Sequence, residues 1–211
     1  MVEIFAHDLG YQYGYRWVFK ESELNIPSGC VVGILGNNGS GKSTLLRLLA
    51  GIFTPSTGTI QLKHQHLGIL ECSRWYRFLS WTAPAIMPPL DLSVMEVLLL
   101  HFQLKKPLIP IEDILREANL QTVKNQALKL LSSGQLQRLK IALAVFSQSS
   151  YMILDEPSTN LDADNFELIW KLVQQFKDDR TILIATNDPR EEIFFDISFT
   201  INQLKIKSTK I

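Results

Sequence analysis

Cys30-Val31-Val32-Gly33-Ile34-Leu35 runs without a polar break into Gly36-Asn37-Asn38-Gly39-Ser40-Gly41-Lys42-Ser43, then into Thr44-Leu45-Leu46-Arg47-Leu48-Leu49-Ala50, closed by Gly51. The apolar run is the pattern of a strand buried on both faces, and the segment from Lys42 to Ala50 has the period and the closing glycine of a helix. Between them, Gly36 to Ser43 fits the spacing GxxxxGK[ST] in the strand-loop-helix setting that this pattern requires. Glycines let consecutive backbone N–H groups turn inward around an anion, and the helix beginning at Lys42 adds its positive dipole end. The stretch therefore predicts a phosphate cradle made of Gly36, Asn37, Asn38, Gly39, Ser40 and Gly41. Lys42 should reach the β- and γ-phosphates of a nucleotide, Ser43 should ligate magnesium and Thr44 should stand near the α-phosphate.

Working outward, Tyr151 to Leu154 and Thr181 to Ala185 read as further short buried strands, with an amphipathic helix over Asn165–Phe176 between them. Strands joined by helices imply a parallel sheet. Toward the N-terminus, Val2–Leu9 and Tyr15–Ile26 mix branched, aromatic and polar residues, as suits strands with one wet face, and 58–62 and 66–70 add short strand-like pieces. The middle of the chain is punctuated by Pro84, Pro88, Pro89, Pro107 and Pro110 and shifts toward helices.

Tyr151-Met152-Ile153-Leu154-Asp155-Glu156-Pro157 is an apolar strand ending in a pair of carboxylates. In a parallel sheet whose working edge is the C-terminal one, Asp155 comes beside the glycine loop as a magnesium ligand, and Glu156 could polarise a water for attack on a γ-phosphate. By itself such a pair is only a solvated turn; the glycine loop is what raises it above that. Leu131-Ser132-Ser133-Gly134-Gln135 opens an apolar helix over 136–146 and forms a second anion-binding end, although alone it is only a helix cap.

At 211 residues and 46% apolar, the chain supports one domain, with room for a subdomain. A formal charge of zero offers no field for nucleic acid, so no nucleic-acid partner is expected. Cys30 and Cys72 form neither a CxxC pair nor a disulfide scaffold, which fits a reducing compartment. No basic-then-apolar leader stands at the start, and the apolar stretches 92–102 and 139–146 are shorter than the roughly 20 residues of a spanning helix. The expected location is the cytoplasm, peripheral at the cytoplasmic face of a membrane.

The ordered set GNNGSGKST, LSSGQ, MILDEP and NLD resembles the ATP-binding-cassette family over nearly the whole chain, and is loosely similar to small single-cassette subunits such as the haem-exporter type. The resemblance implies a P-loop NTPase core, α/β, with a parallel sheet, an antiparallel N-terminal β-subdomain and a helical subdomain over about 75–147, all within a single domain 1–211. It also implies an ATPase using ATP and Mg2+ that forms a homodimer, or pairs with another cassette, on ATP binding. Ser132, Gly134 and Gln135 would then meet the partner's nucleotide, while Asn160, Leu161 and Asp162 match the loop linking the two sites. An adenine-stacking aromatic is implied at Tyr13, with Tyr11, Tyr15 and Trp17 as rivals.

Certain family positions differ here. Ser80-Trp81-Thr82-Ala83-Pro84-Ala85-Ile86 holds no glutamine where the family places one near the attacking water. Asn187 stands where a histidine contacts the γ-phosphate, and it can donate an amide hydrogen bond but carry no charge. Ser133 replaces a glycine. The family reading favours an ATP-binding and hydrolysing subunit that powers a separate membrane permease. The alternatives are a soluble non-transport cassette, disfavoured by the lack of coiled-coil, zinc or second-cassette insertions, and an ATP-binding switch with little hydrolysis.

Overall fold

The computed structural model describes residues 1–159, 161–177, 179–202 and 205–210. They divide into two compact units, Met1–Leu79 with Ser149–Glu156 and Asp179–Ile211, and Ser80–Gln148 with Pro157–Asp178. The helix-bearing unit thus begins at Ser80, and the 3-10 helix Cys72–Arg77 belongs to the first.

The first unit opens with a hairpin of β1 (Val2–Tyr13) and β2 (Arg16–Ile26), followed later by β4 (Thr57–His64) and β5 (Gly68–Leu70), ordered β2-β1-β4-β5 and antiparallel throughout. Val2, Ile4 and Ala6 alternate inward while Phe5 and His7 face out, which sets the register Ile4↔Ile26 and Ile4↔Leu62. The hairpin extends four residues beyond the expected Leu9 because the ladder absorbs irregularities between Ala6 and Gln12 and continues.

The second sheet of this unit is parallel at its centre. β3 (Val31–Leu35) lies between β8 (Thr181–Thr186) and β9 (Ile197–Asn202), and β7 (Tyr151–Asp155) flanks β8. β10 (Lys205–Lys210) runs antiparallel to β9, and the chain leaves along β6 (Leu79–Thr82) at the other edge. Every residue of β7 and β8 is buried, as the apolar runs foretold. Pairings Ile34↔Ala185 and Asp155↔Ala185 set the C-terminal ends of β3, β8 and β7 level. α1 (Lys42–Leu49) follows β3.

The second unit holds α2 (Val94–Leu104), α3 (Ile111–Glu117), α4 (Ser133–Val145) and α5 (Ala163–Gln175). α4 starts at Ser133, where a serine before the apolar run caps it: Ser132 and Gln135 form a capping box that anchors the first turn. α4 is joined to α5 by Arg138, which donates to Asn165 Oδ1; Asn165 Nδ2 in turn donates to the α5 cap Asp162 at 2.8 Å, and Gln137 Nε2 of α4 donates to the Pro157 carbonyl ahead of α5 at 2.7 Å. Of the loop Asn160-Leu161-Asp162, Asn160 lies outside the described residues; Asp162 caps α5. In α2, His101 Nε2 meets Ser147 Oγ at 2.8 Å, and since that hydroxyl donates to the Leu143 carbonyl at 2.6 Å, the imidazole is the donor between them.

Each unit yields a stability prediction. A side chain at Gly33 would overlap the Phe195 ring, so Gly33→Val should lower the unfolding free energy by about 1–3 kcal/mol, seen as a drop in Tm. Burial holds the His101 imidazole below its usual range. The folded state therefore keeps it neutral where the unfolded chain protonates, and the stability this gives is complete above the unfolded pKa of about 6.5 and lost as pH falls below it. Chemical denaturation at pH 7 and pH 5 should show a smaller acid loss in His101→Gln than in the parent.

Candidate nucleotide site

The level strand ends bring the glycine loop, Asp155 and Glu156 to one edge of the parallel sheet, where the loop and Glu156 line an open cleft of about 960 Å³ and Asp155 lies buried behind Ser43. The loop is shaped by glycines at two positions where nothing else fits. A side chain on Gly36 would stand 2.6 Å from Ser40 Oγ, and Gly41, at φ 108°, would drive one into Val18. Gly41 precedes α1 without any side-chain cap, and no acidic residue occupies the first turn. The helix's first N–H groups consequently keep their donor capacity for an anion.

Lys42 is buried, and its Nζ donates to the carbonyl of Gly36 at 2.7 Å and of Asn37 at 3.4 Å. The ammonium thus spans the loop from within, and an incoming phosphate would have to exchange those carbonyl contacts for its own oxygens. Ser40 Oγ is buried without a partner. Asn38 Oδ1 accepts from Asn187 Nδ2 at 3.0 Å, so the loop after β8 brings the predicted Asn187 onto the phosphate cradle.

Asp155 is 5% exposed, and its Oδ1 has no hydrogen-bond partner. Burial raises its pKa; the Ser43 hydroxyl within reach of the carboxyl opposes that, Glu156 adds to it, and Arg47 and Lys42 oppose it. An orphaned carboxylate oxygen beside a serine hydroxyl, at the mouth of an anion cradle, is the hard-oxygen donor set that suits magnesium. Glu156 is half-buried on the cleft wall with its backbone at φ 49°, and its N–H is tied to the Ala185 carbonyl at 2.8 Å. That left-handed conformation costs a non-glycine residue about 1–2 kcal/mol and is held by the β8 contact.

Among the rival aromatics, Tyr13 and Trp17 line the cleft and Tyr11 and Tyr15 do not. Tyr13 is 49% exposed, and its hydroxyl is 3.3 Å from Thr44 Oγ1. Tyr11 instead stacks on Phe53 with centroids 5.4 Å apart. Arg16, Val18 and Ile201 also line the cleft and were not singled out in the sequence. Arg16 and Val18 flank Trp17 and could have been reached through it, whereas Ile201 enters only because β9 pairs with β3. Arg47 carried a signal that passed unread: it lies four residues after Ser43, on the same face of α1.

Ser132, Gly134 and Gln135 lie in the second unit. Ser132 Oγ accepts from the Gln135 N–H at 3.2 Å, and Gln135 Oε1 accepts from the Ser132 N–H at 2.9 Å, so in the single chain both side chains serve the helix cap. A side chain on Gly134 would press on Asn165.

The ABC transporter family matches residues 19–159 of this chain. The chain belongs to that family. Its mixed parallel and antiparallel architecture is that of solved ABC ATP-binding subunits. A structure described as the ATP binding subunit of an ABC transporter superposes with a TM-score of 0.86 at 21% identity, covering 99% of this chain and 90% of that one. Among curated relatives, "ABC transporter A family member 7" of Dictyostelium discoideum is 31% identical over 87% of this chain. The "Probable metal transport system ATP-binding protein" of Chlamydia pneumoniae is 29% identical over 89% of it. The chain spans 22% of the length of the first and 80% of the second. No helix among the described residues of this family member is long and apolar enough to cross a membrane.

The buried, half-satisfied Asp155 costs the apo protein stability. Asp155→Asn should leave the apo Tm unchanged or raise it by a few degrees, about 1 kcal/mol, while weakening Mg-ATP binding by about tenfold or more, measured by calorimetry with and without magnesium.

Proposed function

We propose that this chain binds and hydrolyses ATP as the energy-coupling part of a transporter, closing as a pair of cassettes around nucleotide and driving a separate membrane permease from the cytoplasmic face. The observation that carries the reading is the unpartnered Oδ1 of Asp155 beside Ser43, at the mouth of a glycine cradle whose helix has no cap of its own. Ser43 and Asp155 are the groups that would hold magnesium, which when bound supplies positive charge to the β- and γ-phosphates.

The remaining work falls to the chain's own side chains. Lys42 and the N–H groups of the loop bind the phosphates; Tyr13, with Trp17 as the alternative, stacks on the base. Glu156 accepts a proton from the water that attacks the γ-phosphorus as the bond to the β-phosphate oxygen breaks, giving ADP and phosphate. Asn187 donates from the cradle side without a charge, so the developing negative charge is less well matched than a cation would match it. Ser132, Gly134 and Gln135 of a second cassette would complete the site. For that, its Ser132 hydroxyl would have to turn from the Gln135 N–H to the nucleotide.

The permease finds a place in the second unit, where a groove of about 240 Å³ lies between the 81–89 segment and helices α2 and α4. Its apolar walls suit a short helix lying in a groove.

A second reading, a switch that closes on ATP with little hydrolysis, is favoured by Asn187, whose amide is already engaged with Asn38. Magnesium-dependent ATP turnover of the purified chain separates the two. Glu156→Gln should reduce turnover by about 100-fold or more and accumulate an ATP-bound dimer on size exclusion. Asn187→His should raise it. Wild-type turnover untouched by Glu156→Gln would remove Glu156 as the base.

A further inference from the structure

The groove of the second unit has donors to spare and few acceptors. Lys140, on α4, is 6% exposed, yet its ammonium finds only the Pro84 carbonyl at a long 3.4 Å and the Met87 sulfur at 4.0 Å. An ammonium carries three N–H donors and a charge whose removal from water is costly when no anion faces it. The indole Nε1 of Trp81, on the same groove, is buried with no hydrogen-bond partner among the described residues. His101 offers no help, since its Nε2 is taken by Ser147 and burial disfavours its charged form.

Among the described residues no carboxylate lines the groove, and the acidic side chains at 91 and 96 of the same unit are committed to other partners. Glu96 closes the capping box of α2 through Ser93 at 2.7 Å, and Asp91 pairs with Lys129 at 2.8 Å. Burial also pulls the Lys140 ammonium below the usual lysine range, as expected of a cation without a counter-ion. Around this centre the rim is apolar and open: Leu100 is 46% exposed and Leu104 84%, with Ile86 and Met87 beside them. The groove thus has an apolar rim and a cationic floor with no anion.

We propose that the groove receives a short cytoplasmic segment of the permease bearing one Asp or Glu among apolar side chains, whose carboxylate accepts from Lys140 Nζ. This rests on the permease reading given above and specifies the chemistry of the docking segment. The apolar neighbours fill the space between Leu100, Leu104 and Met87. The carboxylate neutralises the buried ammonium, which sets the orientation of the segment and rejects a basic one. The Trp81 indole N–H is a further donor for the same acceptor or for the segment's backbone.

Two measurements test it. Lys140→Met keeps the side-chain volume and removes the charge, so thermal unfolding of the full chain should show Tm unchanged or raised; a fall of more than about 5 °C would mean that the ammonium is satisfied within the fold, and would overturn the proposal. The second uses a phage-displayed library of amphipathic helical peptides panned on the full chain. Binders weakened by Leu100→Asp, a change on an exposed part of the rim, are those seated in the groove. They should share an acidic residue at one position and lose about tenfold or more in affinity on Lys140→Met, and Lys140→Glu should select Lys or Arg there instead. Groove binders without acidic preference would overturn the carboxylate and leave permease docking in place. Recovery of no binder sensitive to Leu100→Asp would overturn docking at the groove and the carboxylate with it.

Discussion

The hydrogen-bond register that sets the C-terminal ends of β3, β8 and β7 level is the constraint from which the site follows. Parallel strands point the same way, so whatever follows each of them arrives at one edge. Here that edge receives the glycine loop and the Lys42 helix, the Asp155-Glu156 pair and the Asn187 loop. A register slip of a single residue in β7 would exchange the side-chain faces of the whole strand and turn Asp155 away from Ser43. Complete burial of β7 and β8 makes such a slip expensive, since each strand is clasped on both faces by apolar packing.

What gathers at that edge is not a comfortable set of groups. Asp155 is buried with an oxygen unpartnered, Lys42 is buried and turned back on the carbonyls of its own loop, Ser40 has a hydroxyl with nothing to bond, and Glu156 sits in a left-handed backbone conformation. Each feature costs the folded chain something, and in the proposed function each would be relieved or used by the entry of a polyanion and a hard cation. Sites of this kind lower stability where they raise affinity, because the groups are held in place before the ligand arrives and need no reorganisation afterwards. In the second unit, Lys140 shows the same imbalance at an apolar groove, and the complement proposed there is a protein segment rather than a nucleotide.

Much of this was legible in the residues. The buried strand character of Val31–Leu35, Tyr151–Asp155 and Thr181–Thr186 followed from uninterrupted apolar runs, and each element came out within a residue or so of its expected bounds. Residue types place strands at Val2–Leu9 and Tyr15–Ile26, and cross-strand pairing carries the ladder on to Tyr13. The family resemblance implies Tyr13 for adenine stacking with Tyr11, Tyr15 and Trp17 as rivals, since spacing does not give the direction of their rings. Packing against Phe53 takes Tyr11 out of contention, and the cleft wall keeps Tyr13 and Trp17.

The sequence by itself carried the chemical pattern: a phosphate-binding spacing, an acidic pair after a buried strand, a capped helix with the signature, no glutamine in 80–86, and an uncharged asparagine at 187 where the family has a histidine. Those are properties of residue type and short-range order, written within a few positions of one another. The tertiary structure alone decided which oxygen of Asp155 is left without a partner, that Asn187 lies on Asn38, that Ile201 and Arg16 wall the cleft, and that Lys140 is buried without a carboxylate. These depend on contacts between segments far apart in the chain, such as Asn187 with Asn38. Burial and partnership of a polar atom are set by such contacts, and no local pattern encodes them.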